Sequence, residues 1–116
     1  MREPNLEKLD TLVNRMLGDM GACVSGALVV LGDHLGLYKA MADSDGMTPE
    51  ELAKATGMKE RYLREWLSAQ AASGFVDYDD ESDRFSLNPE QAMVFANEDS
   101  PAFFAGGFEV VQSMWL

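Results

Sequence analysis

The rhythm of apolar positions changes along this chain, and each change predicts a different element. Leu6, Leu9, Val13, Met16 and Met20 recur at spacings of three and four, with Leu12 and Leu17 widening the stripe. That period puts them on one face of a helix, which Pro4-Asn5 opens. Two heptads are too few for a long coiled coil, so the stripe predicts an amphipathic helix packed on a neighbour or a second subunit. From Met20 to Leu37 the polar face disappears, and Gly21, Ala22, Ser25, Gly26 and Gly32 are interspersed. A helix without a polar face needs cover on several sides, and small residues let another backbone come close. Glycine costs roughly 1 kcal/mol in a helix interior, so the pattern predicts a break near Gly18 to Gly21.

Leu35 to Met41 forms a short helix that leads to the polar turn Asp43-Ser44-Asp45-Gly46. Thr48 is an N-cap, Pro49 suits the first helical position, and Glu51 completes a capping box. That helix, about 49–55, closes at Gly57, which fits a left-handed cap. Lys59 begins the next, in which Tyr62, Leu63, Trp66, Leu67 and Gln70 share a broad face, and Gly74 stops it. Tyr62, Trp66 and Phe75 are assigned to the core. Phe75-Val76-Asp77-Tyr78 and Arg84-Phe85-Ser86-Leu87 alternate with strand period across the charged turn Asp79 to Asp83. Asn88-Pro89-Glu90 restarts a helix running to about Ala96. Two short helices, a longer helix and a hairpin follow the order of a winged helix-turn-helix. The predicted fold is mostly α: a helical dimerisation segment (1–42), a winged helix-turn-helix with a small antiparallel β-wing (43–96), and a helical linker (97–116).

Charge changes what such a module is expected to bind. The 116 residues, one domain by length, carry a net −11. Between residues 44 and 95 five basic residues face eleven acidic ones, a net −6. Binding a phosphate backbone needs clustered Lys and Arg. Arg61 and Arg64 are the candidate DNA contacts of the second helix, but Glu60 and Glu65 share it and Asp77, Asp79, Asp80, Glu81 and Asp83 surround the wing. Nucleic acid is therefore disfavoured, and that helix reads as solvated or ion-paired surface.

The remaining chemistry is sparse. Cys23 stands alone, which excludes an intramolecular disulfide. It reads as a small buried hydrophobe, compatible with a reducing, cytoplasmic compartment. His34, beside Asp33, could serve as a tuned general base but reads first as a helix-end residue satisfied by backbone. Without a second histidine or a cysteine partner, no metal site is expected. The uncharged run Met20 to Gly32 is 13 residues long, short of the about 20 that span a bilayer, and no basic lead precedes it; no membrane segment is predicted. From Ala102 the chain turns apolar again, with Phe103, Phe104, Phe108, Met114 and Trp115. A folded chain seldom stops in mid-helix on Trp-Leu, so the natural polypeptide is expected to continue beyond Leu116.

Several blocks in order carry a resemblance: Gly36-Leu37-Tyr38-Lys39-Ala40, Thr48-Pro49-Glu50-Glu51-Leu52-Ala53, Arg61-Tyr62-Leu63-Arg64-Glu65-Trp66-Leu67, Gln70-Ala71-Ala72-Ser73-Gly74 and Phe85-Ser86-Leu87-Asn88-Pro89-Glu90-Gln91-Ala92. Together they resemble the N-terminal winged-helix and dimerisation region of bacterial S-adenosylmethionine-dependent class I methyltransferases acting on small molecules. The resemblance implies a homodimer through residues 5–40 and a C-terminal Rossmann-like domain that would hold the cofactor. It also implies a substrate-pocket wall at Phe103, Phe104, Phe108, Met114 and Trp115. No catalytic or cofactor-binding residue is assigned within the chain, because the one Gly-Gly pair, Gly106-Gly107, lacks the preceding strand and the spacing of a dinucleotide loop. The alternatives are a free-standing winged-helix regulator and a small-ligand module built on 102–116.

Overall fold

A computed structural model describes residues 2–114. The first helix, α1, runs unbroken over Leu6–His34, so the break expected near Gly18 to Gly21 is absent. Asn5 starts it, its side chain accepting from the N–H groups of Glu7 and Lys8 at 2.9 and 3.2 Å. The glycines do not interrupt α1 because helix propagation is cooperative, and two of them admit close neighbours. A Cβ on Gly32 would lie 2.3 Å from Trp66 Cζ2, and one on Gly26 would lie 2.7 Å from Phe108 Cδ1. Gly18 and Gly21 have nothing within 4 Å and are carried along by their neighbours.

Five more helices follow among the described residues: α2 (Leu37–Ala42), α3 (Pro49–Thr56), α4 (Glu60–Ala72), α5 (Pro89–Phe95) and α6 (Gly107–Ser113). Strands β1 (Asp77–Asp79) and β2 (Arg84–Ser86) form the antiparallel wing between α4 and α5, with Tyr78 opposite Phe85. Met47 adds a bridge to Phe85, which ties the entry of α3 to the wing. Thr48 caps α3 by accepting from the Glu51 N–H at 3.1 Å. The Glu51 carboxylate turns instead to the Thr48 hydroxyl and to Arg84, so the predicted box is half formed. At α5 both halves close, between Asn88 and Gln91. Gly57 and Gly74 adopt φ of 73° and 78°, the left-handed region that lets the chain leave α3 and α4 sharply.

The core gathers where these elements meet. Leu37, Tyr38, Met41, Leu52, Leu63, Trp66, Leu67, Val76, Phe85 and Phe95 are buried. Tyr38 stacks on Phe95 at 4.8 Å and meets Trp66 edge-on at 5.1 Å. The Tyr38 hydroxyl donates to Gln70 Oε1. Tyr62, assigned to the core by its spacing, is 60% exposed. It lies at the edge of the α4 stripe, beside Leu28 and Leu31 of α1, where no further element covers it. Phe75 is half-buried against Phe95.

Only the second half of α1 joins this core. Trp66 Nε1 donates to the Leu28 carbonyl at 2.9 Å, Ser25 and Ser73 hydroxyls meet at 3.0 Å, and Phe108 covers Gly26. Of the apolar stretch expected to be buried on several sides, only Gly26, Val29 and Gly32 are buried within α1. Cys23 is exposed rather than buried. The reason is that α4 and α6 contact α1 only near its C-terminal half. Residues 6–24 project beyond the winged helix, in a molecule measuring 60 × 34 × 25 Å. By length and composition α1 is also a helix able to cross a membrane. The uncharged run Met20 to Gly32 hid this, because the apolar stretch extends past the charged residues that flank it.

Substituting Gly32→Ala is expected to cost about 1–3 kcal/mol by overpacking, outweighing the helix-propensity gain of about 1 kcal/mol. Urea unfolding measures it, and in a Trp66→Leu background the same Gly32→Ala change is expected to cost less.

Candidate functional site

The face that a DNA-reading winged helix would present is built here from ion pairs. Arg64 donates from both terminal nitrogens to Asp83, at 3.2 and 2.8 Å, and the Tyr78 hydroxyl donates to the same carboxylate at 3.0 Å. Hydrogen bonding from Arg64, then from Tyr78, holds the Asp83 carboxyl below its usual range. The geometry needs Asp83 at a φ of 54°, a conformation that aspartate tolerates better than most residues. Arg84 Nη1 lies 2.8 Å from Glu51 and donates to the Gly46 carbonyl at 3.1 Å, while Lys54 pairs with Glu50 one helical turn away at 3.6 Å. Three of the five basic residues between 44 and 95 are thus tied to carboxylates. Arg61 is exposed beside Glu60 and Glu65, and no cationic ridge forms along α4.

A second region forms around α6. The Phe104 N–H donates to the Val94 carbonyl at 2.9 Å, which fastens the 97–106 segment to α5. An apolar pocket of about 330 Å³ opens there, bounded by Phe75, Phe95, Phe104, Phe108 and Val111. On the other side of Phe108 a second cavity of about 480 Å³ is lined by Ala22, Cys23, Gly26 and Val111. Of the wall residues expected from sequence, Phe104 and Phe108 converge on the first pocket. Phe103 and Met114 line neither, and Trp115 lies outside the described residues. Phe104 is 72% exposed, so its ring is available to whatever enters or covers that opening.

The third cluster was not legible in the sequence. His34, expected to be satisfied by backbone, instead places Nε2 3.0 Å from Glu109 Oε2 on α6, with Asp33 nearby. The hydrogen bond to Glu109 is the main cause that raises the His34 pKa, with attraction to Glu109 and Asp33 adding to it. An imidazole with a raised folded-state pKa contributes fully below its unfolded value and loses the contribution as pH rises through the folded value. An NMR titration of the His34 ring should therefore give a midpoint above 6.5. Glu109→Gln should move it back toward 6.5, and an unchanged midpoint would refute the pairing.

Gly106 and Gly107 open α6 from a turn, with no strand before them. They do not make the strand–glycine loop–helix cradle that a dinucleotide-like cofactor needs. Among curated proteins none matches the chain. Several solved structures are similar, among them these three. One is the mitomycin 7-O-methyltransferase MmcR: 22% identity, 87% of this chain and 30% of that one, TM-score 0.74. Another is CalO1, a methyltransferase in calicheamicin biosynthesis, in its SAH-bound form: 26% identity, 92% and 29%, TM-score 0.65. The third is an O-methyltransferase family protein from Burkholderia thailandensis: 19% identity, 98% and 31%, TM-score 0.64. The chain therefore spans about a third of the length of these relatives. The Rv2258c-like winged HTH domain matches residues 22–97, well over half of the sequence, and the chain belongs to that family.

Proposed function

We propose that this chain is the N-terminal, non-catalytic module of an S-adenosylmethionine-dependent small-molecule O-methyltransferase. Its α1 arm joins two subunits, and its α6 region forms part of the wall of the substrate pocket. The cofactor and the reacting groups belong to a separate Rossmann-like domain of the parent enzyme. The similar structures support this reading, since each is a methyltransferase about three times longer than the part matched.

One observation carries the dimer. Leu6, Leu9, Leu12, Val13, Met16, Leu17, Met20 and Val24 are each between 43% and 72% exposed on a helix that projects from the body. Burying a side chain of this kind is worth about 1.5–3 kcal/mol, and single chains rarely leave so large a contiguous patch uncovered. A second copy covers it symmetrically with the same residues. Lipid is the poorer partner. The most apolar stretch of α1 includes the buried Gly26, Val29 and Gly32, of which Phe108 covers Gly26 and Trp66 covers Gly32, and Asp19 and Asp33 bracket it. The pocket beside Phe104 and Phe108 is open on one side and almost purely apolar, suited to the uncharged body of a small organic acceptor.

Size-exclusion chromatography with light scattering at micromolar concentration should give twice the chain mass. The double variant Leu9→Glu/Met16→Glu should elute as a monomer with an unchanged helical spectrum, because neither side chain packs on the winged helix. A monomeric wild type would contradict the reading, as would a double variant that still dimerises.

A further inference from the structure

Glu109 reaches His34 across 75 positions of sequence, and with Asp33 the fold gathers one imidazole and two carboxylates. Their donor atoms all lie within 4.8 Å of one another. We propose that this cluster binds zinc, and that the ion pins α6 to the C-terminal end of α1. The donor types fit: imidazole nitrogen with carboxylate oxygen suits zinc, whereas magnesium and calcium favour oxygen alone. The spacing fits as well. Ligands about 2.0–2.2 Å from one ion, at tetrahedral to octahedral angles, lie about 3.0–3.5 Å apart. His34 Nε2 and Glu109 Oε2 are already 3.0 Å apart. Asp33, the neighbouring residue on the last turn of α1, supplies the third donor, within 4.8 Å of the other two.

Charge and access favour a dication here. Two carboxylates sit in one cluster with no Lys or Arg in ion-pair contact with either among the described residues, and Lys39, whose charge senses Asp33, is paired with Glu98. The cluster also stands at the carbonyl end of a 29-residue helix, which is electronegative. The His34 and Glu109 side chains are 55% and 51% exposed, so the ion enters from solvent and water completes its shell. Because Glu109 follows Phe108, zinc would also fix the ring that separates the two apolar cavities. The site is built within one chain and stands whether or not the chain dimerises.

Isothermal titration of the untagged, chelator-stripped protein with zinc chloride tests this. The expected result is one ion per chain, with affinity reduced at least ~10-fold in both His34→Gln and Glu109→Gln. Saturating zinc should raise the melting midpoint of the wild type by about 5 °C or more and leave His34→Gln unmoved. Both side chains lie at the surface, and circular dichroism of the apo variants checks that they fold. Cys23→Ser should bind as the wild type does. No binding by the wild type, wild-type affinity in either His34→Gln or Glu109→Gln, or loss of binding in Cys23→Ser would each overturn the proposal.

Discussion

The indole of Trp66 lies against Gly32 and donates its N–H to the Leu28 carbonyl, and the architecture depends on that contact. It joins the helix-turn-helix to α1, and a methyl group at position 32 has no room beneath the ring. The hydrogen bond itself contributes only about 0.5–1.5 kcal/mol. Its larger effect is geometric. Fixing Trp66 on α1 places Tyr38 against the indole edge and Phe95 against Tyr38, so one aromatic chain connects α1, α2, α4 and α5. The other glycine of close approach, Gly26, admits Phe108 and brings α6 alongside. Two missing side chains thus decide where the winged helix and the α6 segment attach.

Anchoring one half of a long helix leaves the other half without a partner inside the chain. The stripe from Leu6 to Val24 is amphipathic enough to form a helix and leaves its large apolar side chains exposed. The proposed second subunit follows from that imbalance. The electrostatics point the same way. A winged helix that reads DNA needs free cations on α4 and the wing, whereas Arg64 is held by Asp83 and Arg84 by Glu51. The wing carboxylates are therefore engaged in the fold's own contacts and repel a polyanion.

Local signals were readable in the sequence and tertiary ones were not. Thr48, Asn88, Gly57 and Gly74 marked their helix ends because capping and left-handed turns involve only neighbouring residues. The alternation around Val76 and Phe85 marked the wing for the same reason. Glycine propensity misjudged α1, because the penalty is local whereas the close approach of Trp66 and Phe108 comes from residues far along the chain. Tyr62 and Cys23 were assigned to the interior from their neighbours' character, yet burial depends on which element happens to cross there. Nothing near His34 pointed to Glu109, since only the docking of α6 on α1 joins them. Of the expected pocket wall, Phe104 and Phe108 converge because α6 begins between them and turns Phe108 inward; Met114, past the end of that helix, faces solvent.

The central claim is that α1 is one helix with two supports, the chain's own core for its second half and a second copy for its first. Hydrogen–deuterium exchange resolved along α1 at several protein concentrations tests this most directly. Amides from Leu28 to His34 should be protected equally at every concentration. Those from Leu9 to Val24 should gain protection as concentration rises through the association range. Protection of the first half that is strong and independent of concentration down to nanomolar, or absent at all concentrations, would contradict the account.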